Sequence, residues 1–395
     1  MKAVAKADGG FSMPIWVNNQ RKYTNGETVK KFALGTAVIA AAALMFSACA
    51  APPEPSVAPT NTDPQPTVTT PAPPTTPAFL ACMISDAGGF DDKSFNQSGF
   101  EGMKRAESEL GVAIKTAESS DSKDFTPNLN AMKTEQCNLT FTVGFMLSEA
   151  TKTAAEANTD ANYAIVDDNQ IELPNVKSLV FKTSDAAFLA GYLAAGYTKS
   201  GTVATFGGMN FPSVSIFMDG FVDGVALYNA DNNTSVKVLG WDKDKQDGSF
   251  TGDFDDQTKG KNTTKSFIDQ GADVIMPVAG PVGLGAAAAA KEAGNVAIIW
   301  VDSDGYETTP EYKDLFLTSV MKQIGQSVFD TVKETTTASF SNTPYIGTLA
   351  NGGVGIAPYH DFESQIDAAL IARVAELQQK IISGELKVTS PSDPQ

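Results

Sequence analysis

The sequence predicts an α/β protein of two lobes, each built on a parallel sheet, and three observations carry that prediction. From Phe79 onward, short strand-like runs alternate with helix-like stretches across brief connections, an order that implies parallel strands joined by right-handed crossovers. The alternation starts again near Thr202, so the chain holds two series, each too small to be a whole large sheet. The 395 residues suffice for two such units plus tails, and 42% hydrophobic with 19% charged residues are ordinary globular values.

The segment ahead of the lobes reads as address and tether. Val29-Lys30-Lys31, an apolar run from Phe32 to Phe46, and Ser47-Ala48-Cys49 have the order of a signal peptide over residues 29–48. The apolar run is shorter than the roughly 20 residues a membrane span needs. Small residues before Cys49 resemble the bacterial lipobox, with Phe46 where that pattern usually has Leu, so Cys49 is the expected lipidation site. Residues 1–28 fit no part of this scheme and are expected to be a non-native extension, with translation starting at Val29. Residues 49–78 form a Pro/Thr-rich tract that cannot bury a core and reads as a disordered spacer. Export leaves Cys82 and Cys137 in an oxidising compartment, either as a disulfide or as two buried thiols.

In the first series, the strand-like runs are Phe79–Ser85, Val112–Thr116, Leu139–Val143, Tyr163–Val166 and Val176–Phe181. Helix-like stretches at Ser94–Leu110, Phe125–Gln136 and Glu149–Asn158 separate them. The second series has strands at Thr202–Phe206, Val236–Leu239, Val274–Pro277 and Val296–Val301. Its helices lie near Val214–Tyr228, Thr263–Gln270 and Gly283–Ala293, and Ile366–Ser383 closes the chain. Ligands of such sheets bind beyond the carboxyl ends of the strands, so two facing lobes place both sets of ends around one cleft.

A formal net charge of −17 repels phosphate backbones and anionic headgroups, which excludes nucleic acid as a partner. One histidine, His360, leaves little for triads or zinc sites, and no catalytic residue, metal set or cofactor is assigned. Ala279–Gly285 lacks dinucleotide-loop spacing, and Asp242–Gly248 has its glycine one place late for a calcium loop.

The informative stretch is Asp86-Ala-Gly-Gly-Phe-Asp-Asp-Lys-Ser-Phe-Asn-Gln97, between the first strand and the first helix, with Ser94 the expected N-cap. Gly88 and Gly89 permit close backbone approach, Asp86 offers acceptors, Asn96 both donors and acceptors, and Phe95 a flat apolar face. Three aspartates here favour a neutral ligand rich in hydroxyl and amine donors. The stretch also reads as a capped turn with Phe95 in the core.

This stretch resembles the basic membrane protein family of nucleoside-binding lipoproteins, related to the purine-nucleoside receptor of spirochaetes. Further similar stretches follow in order: Tyr163–Asp167, Phe254–Gly260, Val278–Gly280, Trp300–Asp304 and Leu317–Lys322, within a similarity covering roughly Phe79 to Val388. The resemblance implies the type I periplasmic-binding-protein fold, two Rossmann-like lobes joined by three crossings. Lobe 1 would comprise residues 79–183 and 303–338, and lobe 2 residues 184–302 and 339–390. It also implies a lipid-anchored monomer on the extracytoplasmic face of the cell membrane that passes nucleosides, purines foremost, to an ABC permease.

Carried over residue by residue, Phe95 and Phe254 sandwich the base, and Asp86, Asn96 and Asp167 read base edges. Asp302 accepts from the ribose hydroxyls, Lys322 fixes the sugar end, and Gly280 lets the chain pass close to the ligand. Asp167 forms a doublet with Asp168, either of which can face inward, and Phe211 reads equally as core or as contact. Two other functions stay open: binding of a pentose or autoinducer, and nucleoside hydrolysis by a metal on Asp86, Asp91 and Asp92.

Overall fold

The computed structural model describes residues 79–394. The extension 1–28, the signal peptide 29–48, Cys49 and the tether 49–78 lie outside the described residues. The chain opens with β1 (Leu80–Ser85), α1 (Phe95–Leu110), β2 (Ala113–Ala117), α2 (Phe125–Thr134), β3 (Leu139–Val143), α3 (Ser148–Ala157), β4 (Tyr163–Val166) and β5 (Val176–Phe181). The next stretch holds α4 (Thr183–Tyr197), β6 (Thr202–Gly207), α5 (Pro212–Asn232), β7 (Lys237–Leu239) and a small hairpin of β8 (Trp241–Asp242) and β9 (Asp247–Gly248). Then come α6 (Gln257–Asp269), β10 (Val274–Val278), α7 (Val282–Ala293), β11 (Ala297–Asp302), α8 (Gly305–Thr308) and β12 (Phe316–Lys322). The last elements are α9 (Ile324–Thr337), β13 (Tyr345–Gly347), β14 (Val354–Ile356) and α10 (Ala368–Ile382).

Two six-stranded sheets result, ordered β13-β5-β4-β3-β1-β2 and β14-β12-β11-β10-β6-β7, parallel except where β14 meets β12. Central strands such as β3, β4, β10 and β11 are buried along their whole length because helices cover both faces. In each sheet the order reverses beside the first strand, between β1 and β3 and between β6 and β10, which is where such folds open a ligand crevice.

The lobe boundaries expected from sequence need correction. Residues 303–338 do not return to the first lobe as a block: β12 pairs with β11 in the second sheet, and only α9 packs back against α1. Nor is 339–390 confined to the second lobe, since β13 pairs with β5 in the first sheet. The chain therefore crosses three times, at Lys182, at Gln323, and between Gly347 and Val354. Backbone bonds knit the crossings together, Lys182 N donating to Gly347 O (2.7 Å) and Gln323 N to Gly353 O (2.9 Å). The physical reason is that pairing partners are non-local, and a strand carries no mark of which sheet it will join.

Helix α4 is buried from Thr183 to Ala195 and packs along α5. That contact needs small residues: a Cβ on Gly191 would lie 2.1 Å from Phe221 O, and one on Gly224 2.0 Å from Phe188 O. Cys82 on β1 is joined to Cys137, just beyond α2, by a disulfide with Cα atoms 5.9 Å apart. Among the described residues no helix is long and apolar enough to cross a membrane.

Candidate functional site

A cavity, part of it open to solvent, lies between the lobes at the carboxyl ends of both sheets. Asp86, Phe95, Asn96, Asp167, Phe254, Gly280, Asp302 and Lys322 all line it.

Asp86 leaves β1 buried, and its Oδ1 accepts from Asn96 Nδ2 at 3.0 Å. Its other oxygen occupies space that only glycine leaves: a Cβ on Gly144, whose φ is +114°, would sit 1.9 Å from Asp86 Oδ2. Burial raises the Asp86 carboxyl well above the usual carboxylate range, and the Asn96 bond only partly opposes it while Asp92, Asp167 and Asp255 add to it. Asn96 is itself buried, and its Oδ1 has no hydrogen-bond partner among the described residues.

Ser94 holds the N-cap position of α1, as expected, but the capping side chain belongs to another residue. Ser94 makes no side-chain cap; the carboxylate of Asp92 accepts from the backbone N–H groups of Ser94 (3.0 Å), Asn96 (2.7 Å) and Gln97 (3.0 Å). Burial lifts the Asp92 carboxyl to about 6 against those three bonds. Ser94 Oγ turns toward the second lobe, within 2.9 Å of Val301 O and 3.1 Å of Asp302 Oδ2.

Lys322 ends β12 with its ammonium enclosed. Its Nζ lies 2.5 Å from Asp167 Oδ2 and 3.0 Å from Asp302 Oδ1, and over the rings of Phe95 (4.7 Å), Phe217 (5.2 Å) and Phe181 (5.9 Å). The Asp302 contact is an ion pair without hydrogen-bond alignment, which leaves Oδ1 of Asp302 unsatisfied by a directed donor. Burial alone would lower the Lys322 pKa, but Asp167 and Asp302 outweigh it and hold it above the ordinary value. Burial likewise raises the Asp167 carboxyl, with Lys322 opposing. Both acids are left-handed, Asp167 at φ +66° and Asp302 at φ +69°, so each turns its side chain at the end of a strand.

The doublet is resolved by this geometry. Asp167 joins the Lys322 group, whereas Asp168 accepts from Ser148 Oγ (2.5 Å) and Gln170 N (2.8 Å). Asp167 thus stands with Asp302 and Lys322, not with the Asp86–Asn96 pair. The three acids suggested for a metal have different roles: Asp91 is exposed and paired with Lys93, Asp92 borders the cavity but spends its carboxylate capping α1, and Asp86 faces the cavity bonded to Asn96. His360 bonds Asp304 Oδ2 at 2.8 Å and stacks on Tyr306, away from the cavity lining.

The aromatic wall is larger than the sequence suggested. Phe254 stacks on Phe211 with centroids 6.2 Å apart, and Phe211 meets Phe145 of the first lobe at 5.1 Å. Phe145, Met146, Phe211, Ser213 and Phe217 all line the cavity and were missed or left undecided. The available signal for Phe145 was position: Gly144-Phe145 follows β3 directly, as Phe254 and Gly280 lie at the corresponding end of the other lobe. Gly280 has φ +53°, and a Cβ there would meet only Phe254 O, at 3.9 Å, so glycine is favoured by the backbone conformation rather than by crowding.

The chain is 33% identical over 330 residues to an ABC transporter nucleoside-binding protein BmpA of Lactococcus lactis, covering 79% of this chain and 89% of that one. It is 30% identical over 310 residues to basic membrane protein A of Borreliella burgdorferi, covering 77% and 86%. A solved ABC transporter solute-binding protein from Aeropyrum pernix superposes with a TM-score of 0.72 at 26% identity, over 80% of this chain and 94% of that one. Residues 79–392 match the model of the Bmp family, described as ABC transporter substrate-binding protein PnrA-like, and the chain belongs to that family.

Proposed function

We propose that this protein captures nucleosides, purine nucleosides foremost, and delivers them to an ABC permease as a monomer held at the extracytoplasmic face of the membrane by a lipid on Cys49. The observation that carries the ligand class is the cavity itself. Aromatic faces stand beside an acid-rich polar set whose single cation, Lys322, is already shared by two carboxylates. Aromatic faces stack on heterocycles, and carboxylates accept from vicinal hydroxyls. A phosphate would find no unshared positive charge among the lining residues, and like charges in a water-poor site cost several kcal/mol.

Within this reading Phe95 and Phe254 sandwich the base, and Asp86 with Asn96 reads its edge. Gly280 lets the chain pass close to the base, and Asp302 with Lys322 takes the sugar. Because Asp167 groups with Lys322, this reading assigns it to the sugar end and not to the base edge that the resemblance implied. Isothermal titration with guanosine, 2′-deoxyguanosine and GMP tests the proposal. Phe254→Ala should weaken both nucleosides alike, because stacking, roughly 1–3 kcal/mol per base, ignores the sugar. Asp302→Asn should weaken guanosine more than deoxyguanosine, because hydrogen bonds to charged groups contribute about 1.5–3 kcal/mol. Tight GMP binding by the wild type would overturn the proposal, and D-ribose binding as tightly as guanosine would favour a pentose receptor instead.

A further inference from the structure

The two lobes are bonded to each other at a point outside the cavity, through a two-residue segment of the loop after β1. The carbonyl oxygen of Lys93 lies within hydrogen-bond reach of three donors of the second lobe: Thr308 Oγ1 (2.9 Å), Ser303 Oγ (3.0 Å) and Trp300 Nε1 (3.3 Å). The next residue, Ser94, is buried and directs its hydroxyl at Val301 O and Asp302 Oδ2. Lys93 holds φ +61°, a left-handed conformation that a lysine adopts only against its local preference. That conformation presents the carbonyl to the second lobe, so the bonds across the lobes and the strained backbone belong to one arrangement. None of Lys93, Ser94, Trp300, Ser303 and Thr308 lines the cavity, yet Ser94 touches Asp302, which does.

We infer that Lys93 and Ser94 form an interlobe clamp that sets ligand affinity without touching the ligand, by holding the lobes together and fixing the Asp302 carboxylate. Hydrogen bonds between neutral groups have modest net worth each, but they act here on one equilibrium, closed against open. When only the closed form binds tightly, apparent affinity scales with the closed fraction. Loss of the Ser303 and Thr308 donors should therefore weaken binding by about tenfold and speed ligand release, with the preference for ribose over deoxyribose unchanged. Loss of the Ser94 hydroxyl should weaken binding and also reduce that preference, because Asp302 loses its positioning donor.

The inference rests on the nucleoside reading, and its test separates the two. Ser303→Ala/Thr308→Val and Ser94→Ala would be titrated with guanosine and deoxyguanosine, with Ser303→Thr/Thr308→Ser as the conservative control that keeps both hydroxyls. In parallel, spin labels at Glu107 on α1 and Asp269 on α6, both exposed, report the interlobe distance of the ligand-free protein by pulsed electron resonance. Expected are weaker binding and a population shifted to longer distances in the double variant, both restored in the control. Wild-type affinity and an unchanged distance distribution in a normally folded double variant would overturn the clamp. If the wild type binds no nucleoside, the nucleoside reading falls, and the distance distributions alone decide the clamp: longer distances in the variant support it, identical ones refute it.

Discussion

Replacing Lys322 with methionine keeps the length of the side chain and removes the only charge that the two strand-end carboxylates share. Lys322 is 4% exposed, and its ammonium is 2.5 Å from Asp167 and 3.0 Å from Asp302. Removing one partner of a buried ion pair leaves an uncompensated charge and costs about 3–5 kcal/mol. Here two carboxylates are left facing each other, so the upper part of that range is expected at pH 7.5, and one of them should take up a proton. The sign follows from proton counting. Burial already raises Asp167, and without Lys322 to oppose it the folded state binds more protons than the unfolded chain. The deficit is then largest at high pH and shrinks as pH falls. Urea denaturation of wild type and Lys322→Met at pH 7.5 and 5.5 should show the difference narrowing by about 1–2 kcal/mol, since one pKa unit is worth about 1.4 kcal/mol. Adding Asp167→Asn should recover part of the loss at pH 7.5. A deficit below about 1 kcal/mol, or one that pH leaves unchanged, would refute the account of Lys322 as the shared counter-ion.

Three further outcomes follow from single residues. Gly144→Ala forces a Cβ into the Asp86 carboxylate and a φ of +114° onto an L-residue, so it should cost about 2–3 kcal/mol in denaturation and most of the nucleoside affinity; retention of both would show that Asp86 has another place to go. Cys137→Ala opens a link between residues 55 apart, for which the chain-entropy estimate is about 4 kcal/mol, and the urea midpoint should fall accordingly. Cys49→Ala should move the protein from the membrane fraction to the medium and abolish lipid labelling, whereas continued labelling would reject Cys49 as the anchor.

The strands were legible because a parallel sheet buries both faces, and runs such as Tyr163–Val166 and Val274–Pro277 are short, apolar and bounded by turns. Helix α4 was not, since burial on all sides erases the 3.6-residue alternation. The lobe membership of β12 and β13 was misjudged because pairing is set by distant segments. In the site, Asp86, Phe95 and Asn96 belong to one local turn whose composition is visible in twelve residues. Phe211 and Phe217 could not be told from core phenylalanines, as Phe211 caps a helix whose N-terminal half is buried and Phe217 lies within that half. The choice between Asp167 and Asp168 turned on the left-handed conformation of Asp167, which breaks strand alternation and has no signature in a run of two aspartates.

The two lobes carry equivalent strands in equivalent order, and this explains why the polar centre has its form. β4 stands in the first sheet where β11 stands in the second, and β5 stands where β12 does. Asp167 follows β4 beside β5 as Asp302 ends β11 beside β12, and both residues are left-handed. The acids are therefore counterparts brought face to face when the sheets meet at their carboxyl ends. Continuing the register one residue past their partners reaches Phe181 in the first lobe and Lys322 in the second. The lobes thus match in acid but differ in what stands next to it: two carboxylates share one ammonium, and the ring at the matching position lies under that ammonium at 5.9 Å. A strictly repeated pair would have placed either two ammonium groups or none at the centre. The departure leaves an excess of one formal negative charge among these three groups, near an Asn96 oxygen with no partner among the described residues, so the unsatisfied capacity of the cavity is for hydrogen-bond donors. A ligand rich in N–H and O–H groups on a flat ring system meets that demand, and an anionic one adds to the excess.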